Sequence, residues 1–214
     1  MSAVSKAVIK TIFVPSLITL AVSLLRLYGE LHDWPQILFG KSAGGSGSAV
    51  GITWLAVAFA FYFAIKLVQA GDVFARPTRS ILLAVLALAL TFVGLIVMYK
   101  GAPNTRVEFQ FTGAVIILIA IYVMRAAWPD YWRIMVSYAV AARVPVIVIM
   151  FFAIRGNWGT HYDAVPPDVT FPDWYAKFVQ AGLIPQIFLW IPFTVILCGL
   201  LGVLTATILR RKNA

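Results

Sequence analysis

A single arginine stands in the middle of a hydrocarbon run. Arg143 lies in an apolar stretch from about Ile134 to Ile154, nine residues from one end and eleven from the other. At 1.5 Å of helical rise per residue it is roughly 14–16 Å from either interface, too deep for its head to snorkel to water. Placing an arginine there costs about 2.5–3.5 kcal/mol even on the lenient insertion scale. An acid, a set of carbonyls, a water-filled cavity or a bound anion must compensate. Pro145 brings no N–H to the carbonyl of Ala141, four positions earlier, which makes that carbonyl one expected acceptor for the guanidinium. Arg143 then ties a kinked helix to its neighbours or contacts a substrate or ion; a shifted helix frame that carries it towards an interface is the third arrangement.

Arg26 and Glu30 are four residues apart at the end of the first apolar run, on one side of a continuing helix. They form a local ion pair that closes the helix end, or Glu30 is the shared counter-ion of Arg26 and Arg143 in an outward-facing polar cavity. Glu108, at the start of the fourth run, is the competing partner for Arg143. These four residues make up the candidate ligand site, and a small anionic or amphipathic molecule is the ligand such a cavity suits.

Two histidines each sit near an aspartate, in His32-Asp33 and in His161-Tyr162-Asp163. Together His32, Asp33, His161 and Asp163 would give two imidazoles and two carboxylates, a divalent-metal set or the parts of acid–base catalysis. The spacing follows no fixed metal pattern and the two loops need not meet, so solvated loop residues are the plainer reading. The segment Ser42–Ser48, rich in glycine and serine, precedes a helix start, where free amides can hold an anion. No Lys-Ser or Lys-Thr follows, as a nucleotide loop requires, and a flexible linker is the simpler expectation. There is one cysteine, Cys198, so no internal disulfide forms. Cys198, Gly202 and Ala206, four apart, form a small-residue ridge suited to close helix packing, with the partner helix supplied by this chain or by a second copy. No cofactor is expected: there is no intramembrane histidine pair for haem, no buried acidic relay and no Ser–His pair at one depth.

The elements that hold these residues follow from composition. Of 214 residues, 62% are apolar or aromatic and 12% charged, against about 45–50% and about 25% in a soluble domain; the mean hydropathy is +0.92. The net charge of +9 is dispersed between apolar runs, which excludes the basic stripe that nucleic acid needs. Six runs approach the roughly 20 residues that span a bilayer: about 7–28, 50–69, 80–99, 107–127, 134–154 and 184–209. They are continuous rather than alternating, so they read as helices and not barrel strands. The first is too long for a secretion signal and has no small-x-small site after it, so it is expected to be a retained span.

The expected fold is therefore an all-α, six-transmembrane-helix bundle in one domain, with two structured extracytoplasmic loops over 29–49 and 155–183. Lys6, Lys10, Lys66, Arg76, Arg79, Arg125, Arg133, Arg210, Arg211 and Lys212, ten residues, fall on the side of the termini. Arg26, Lys41, Lys100, Arg106, Arg155 and Lys177, six, fall on the other. The bias puts both termini in the cytoplasm of a bacterial inner membrane, with lipid as surroundings. In the second outer loop, Thr170 as N-cap, Pro172 near the first turn and Asp173 at N3 predict a short amphipathic helix lying on the membrane surface. The repeat of Lys66–Gly71 as Lys177–Gly182 aligns with no three-plus-three symmetry and is expected to be coincidence. Transport or binding is the favoured activity class. A membrane-embedded enzyme working on lipid-linked or outer-face substrates, and an accessory subunit of a larger complex, are the others.

Overall fold

A long apolar segment can satisfy its backbone only internally, and here it does so as helix throughout. The computed structural model describes residues 3–45, 48–100 and 106–212; Ser46 and Gly47 of the Gly/Ser segment lie outside them. Among the described residues there is no strand. The helices are α1 (Ala3–Leu31), the short α2 (Gln36–Phe39), α3 (Thr53–Gln69), α4 (Pro77–Met98), α5 (Val107–Ala127) and α6 (Pro129–Gly156). A last helical column begins as α7 (Trp174–Lys177) and ends as α8 (Cys198–Lys212).

Five of these helical bodies are long and apolar enough to cross a membrane. The remaining apolar helix, α3, has 17 residues and rises about 25 Å. In the five, only 22–44% of the most apolar window is buried inside the chain. Phe13, Leu82, Ile96, Phe111, Tyr122 and Ile208 are among the large apolar side chains that point outwards. Patches of that extent are foreign to a protein dissolved in water, so the chain is a helical membrane-spanning protein.

The last column departs from expectation. The Thr170 cap does not form: Asp173 is the N-cap, its carboxylate accepting from the Ala176 amide at 2.7 Å. Nor does a separate surface helix form, because α7 continues without a break towards α8. Three π-helical stretches connect them, Phe178–Leu183, Gln186–Trp190 and Phe193–Leu197, each closed by an amide bonded five residues back, as Ile184 to Val179. Pro185 and Pro192 lie in this stretch, where neither has an N–H for an α-helical bond. Wider turns are the ordinary way a helix absorbs such defects.

Packing is closest where small residues meet. The α4–α5 hairpin crosses at Gly94 and Gly113: a Cβ on Gly113 would lie 2.5 Å from the Gly94 carbonyl oxygen and 2.6 Å from the Met98 amide nitrogen. Backbone cannot step aside as a side chain can. Gly113→Ala is therefore expected to destabilise the protein by about 1–3 kcal/mol, read as a lower melting temperature in detergent; an unchanged value would mean that the helices do not cross there. The Cys198–Gly202–Ala206 ridge is buried within the chain, and the Tyr131 ring of α6 fills the space beside Gly202. Tyr131 donates to the Ala60 and Cys198 carbonyls at 3.0 and 3.3 Å. The ridge thus meets a helix of its own chain.

Two apolar clusters result. One gathers Phe63, Trp128, Tyr131, Tyr138 and Cys198 among α3, α5, α6 and α8. The other joins Val146, Ile149, Met150, Ala153 and Ile154 of α6 to Tyr162 of the following loop. The candidate residues lie beside the second.

Candidate functional site

Along α1 the buried polar residues fall at Thr19, Ser23, Arg26 and Glu30, three or four apart and so on one face. That face turns inwards. Thr19 Oγ1 and the Tyr138 hydroxyl are 2.8 Å apart, and the Tyr162 hydroxyl donates to the Ser23 carbonyl at 3.0 Å. Tyr162, only 4% exposed, reaches α1 because the loop after α6 folds back into the bundle. Asn157 ends the helix at φ 48° and Gly159 turns it at φ 67°. The Asp163 carboxylate then accepts from the Gly159 and Thr160 amides and the Thr160 hydroxyl, at 2.9, 2.7 and 2.8 Å.

Glu30 is the anion of this region and has no exposed surface. Its Oε1 accepts from Arg26 Nε at 2.7 Å and lies 2.6 Å from His161 Nδ1; its Oε2 accepts from the His161 amide at 2.8 Å. Arg26 continues the clasp, with Nη2 donating to the Gly40 and Gly45 carbonyls at 3.0 and 3.2 Å. Gly45 has φ 71°, and a Cβ there would stand 3.1 Å from both Arg26 Nη1 and His161 Cδ2. Only glycine allows the loop this close. One carboxylate thus fastens the 40–45 loop and the 157–163 loop to the end of α1.

Glu30 does not act as the counter-ion of Arg143. Both of its oxygens are occupied by Arg26 and His161, so the shared-acid arrangement gives way to a clasp that lacks Arg143. Glu108 is not the partner either: it is exposed and pairs with Arg106 at 3.3 Å. The Ala141 carbonyl gives way to a side chain, since Arg143 Nη1 reaches Gln186 Oε1 at 3.5 Å. The guanidinium also lies over the Trp190 ring, 5.0 Å from its centroid, an arrangement worth a modest cation–π attraction. Its Nε is buried without any hydrogen-bond partner, and the residue is 4% exposed. Arg143 also sits at the middle of the 28-residue α6, roughly 20 Å from either helix end.

A cavity of about 420 Å³ joins the clasp to this arginine. Arg26, Arg143, His161 and Gln186 supply its polar wall, and Val146, Met150, Val165, Pro166, Ala181 and Leu189 much of the apolar one. That volume lies within the range of small-molecule sites, and a largely apolar lining with few polar groups is their usual character. Glu30 screens Arg26, so the uncompensated charge on the wall is that of Arg143.

The proposed metal set is not assembled. His32 Nδ1 lies 2.8 Å from the Tyr28 carbonyl and its ring stacks on Tyr28. Asp33, exposed, pairs with Lys41 at 2.6 Å. Asp163 is occupied by its own loop and His161 by Glu30. Among the described residues no three His, Cys, Asp or Glu side chains gather as a metal site.

Burial, the largest cause, holds the His161 imidazole below its ordinary 6.5; the nearby Arg26 adds to this, while Glu30 and Asp163 pull the other way. At neutral pH the ring is therefore uncharged, with Nδ1–H donating to Glu30. Above 6.5 its contribution to stability is complete. As the pH falls through 6.5 the unfolded chain takes up a proton that the folded one refuses, so stability declines until the lower folded value is passed. We expect the melting temperature to drop over that window, with faster hydrogen exchange in residues 157–163, and His161→Gln to flatten the response. A melting temperature that rises on acidification, or an unchanged slope in the variant, would contradict the neutral clasp.

Gln186, Trp190 and the pairing of His161 with Glu30 join the site only in the structure. Gln186 carried a signal, being a polar side chain in an apolar column, where polar groups seek one another. Comparison with protein-family models, with curated proteins and with solved structures finds no match for the chain.

Proposed function

We propose that this protein is a six-span component of a bacterial cytoplasmic membrane, with both termini inside, that binds or passes a small anionic or amphipathic ligand. The ligand enters from the outer face into the cavity between α1, α6 and the last helical column. One observation carries the reading: a buried arginine with an unpartnered Nε and no acid beside it forms the wall of a cavity large enough for a small molecule. An uncompensated charge at that depth is costly, and an anion entering the cavity removes the cost. The Lys/Arg bias and the clasped loops over α1 support an outward opening.

The test uses the buried Cys198 as a silent background. Ala181→Cys, on the cavity wall, is expected to react with a membrane-impermeant maleimide added to intact spheroplasts. Labelling only after the membrane is permeabilised would overturn the outward opening. No labelling in either condition, with the protein folded, would overturn a water-accessible cavity.

A further inference from the structure

We infer that the ligand is a water-soluble organic acid with a single negative charge and an apolar body, its oxyanion seated on Arg143. The inference rests on the pocket reading above and narrows it by charge, size and depth.

The charge count is the first constraint. Arg26 is neutralised by Glu30 at 2.7 Å and His161 is uncharged at neutral pH, so Arg143 alone requires an anion. A dianion such as sulfate or hydrogen phosphate would bring a second charge into a wall that is mostly apolar, where an unpaired ion is heavily penalised. The donors fit a monoanion: among the described residues the Arg143 guanidinium has one hydrogen bond, the long one from Nη1 to Gln186 Oε1 at 3.5 Å, and Gln186 Nε2 is engaged by the Met150 sulfur, at 3.5 Å.

Size is the second. A chloride or acetate would fill a small part of about 420 Å³ and leave the apolar wall wet. A ring or short chain against Val146, Leu189 and Pro166 removes that surface from water.

Depth is the third. A membrane lipid keeps its headgroup at the interface, about 15 Å from the bilayer centre. Arg143 lies at the midpoint of α6, where such a headgroup does not reach. The same geometry admits a small acid that enters from water through the loop face and descends to the arginine.

Sodium benzoate and sodium octanoate are the probes. The purified full-length protein is titrated with each at neutral pH in phosphatidylcholine nanodiscs, by calorimetry and by thermal shift. Sodium chloride, acetate and sulfate run in parallel, as do nanodiscs enriched in phosphatidylglycerol. We expect benzoate or octanoate to bind at least about tenfold more tightly than acetate, chloride or sulfate, and Arg143→Gln to weaken that binding by at least about tenfold. Leu189→Trp, which narrows the cavity and keeps every charge, is expected to weaken benzoate while leaving any chloride effect in place; it holds the test open where Arg143→Gln does not fold. Binding of chloride, sulfate or phosphatidylglycerol in preference to the organic acids, with loss in Arg143→Gln, overturns this inference and leaves the pocket reading standing. No stabilisation by any anion overturns both.

Discussion

Glu30→Gln is expected to lower the unfolding free energy by about 3–5 kcal/mol, the range for breaking one side of a buried ion pair. The carboxylate is wholly buried and accepts from three donors: Arg26 Nε, the His161 amide and His161 Nδ1. A glutamine keeps the shape but offers one accepting oxygen, and its NH2 then faces a donor. The Arg26 guanidinium, 6% exposed, would lose its only anion and remain inside. Both loops that Glu30 fastens should loosen, so hydrogen exchange in residues 40–45 and 157–163 should accelerate together. Glu30→Gln/Arg26→Met should recover part of the loss, because the second change removes the stranded charge. Denaturant or thermal unfolding in detergent measures both. A single variant within about 1 kcal/mol of wild type, the size of an ordinary substitution, would mean that the clasp is not what holds the loops.

Much of this clasp could be read from the sequence and part of it could not, for a definite reason. Arg26 and Glu30 are local: four residues on a helix put them on one face, and no tertiary knowledge is needed. His161 is 131 residues from Glu30, and nothing in its neighbours marks the contact. Its nearest carboxylate in sequence, Asp163, suggested a metal pair, whereas that carboxylate closes the turn that delivers His161 to α1. Thr19 and Ser23 extend the Arg26–Glu30 face inwards at the same helical spacing, a pattern that takes on meaning only once the structure shows what it packs against.

The helices show the same division. The run over 107–127 coincides with α5, whose ends are set by extended backbone at Arg106 and Trp128. The run over 134–154 falls short of α6 by five residues at its start, since Pro129 opens the helix and Asp130, Arg133 and Trp132 continue it despite their polarity. The largest difference is at the end of the chain. Thr170, Pro172 and Asp173 read as a helix start ahead of amphipathic residues, which argued for a separate surface helix. In the structure π-turns absorb the prolines and the column continues, which places Gln186 and Trp190 against Arg143. Turn-width changes of that kind have no periodic signature, so hydropathy alone could not have put these two side chains at the site. They occur where the column lines the cavity, in keeping with the association of π-turns with functional positions.

The depth of Arg143, by contrast, was evident from its position in an apolar run, and its consequence can be measured directly. Arg143→Leu is expected to stabilise the empty protein, by about 1–4 kcal/mol, since it removes a desolvated charge that has no acid beside it. The same variant should lose the stabilisation that an anion gives the wild type, which at a hundredfold excess over Kd is about 2.7 kcal/mol. The two melting curves should therefore approach or cross as anion is added: the variant ahead without ligand, the wild type gaining with it. A residue kept at a cost in stability and repaid only on binding is the pattern of a site. The opposite outcome is equally clear. If Arg143→Leu destabilises the empty protein by several kcal/mol, the contacts to Gln186 Oε1 and to the Trp190 ring outweigh desolvation. Arg143 would then be a pin between α6 and the last helical column, with the cavity beside it a by-product of packing around proline-widened turns.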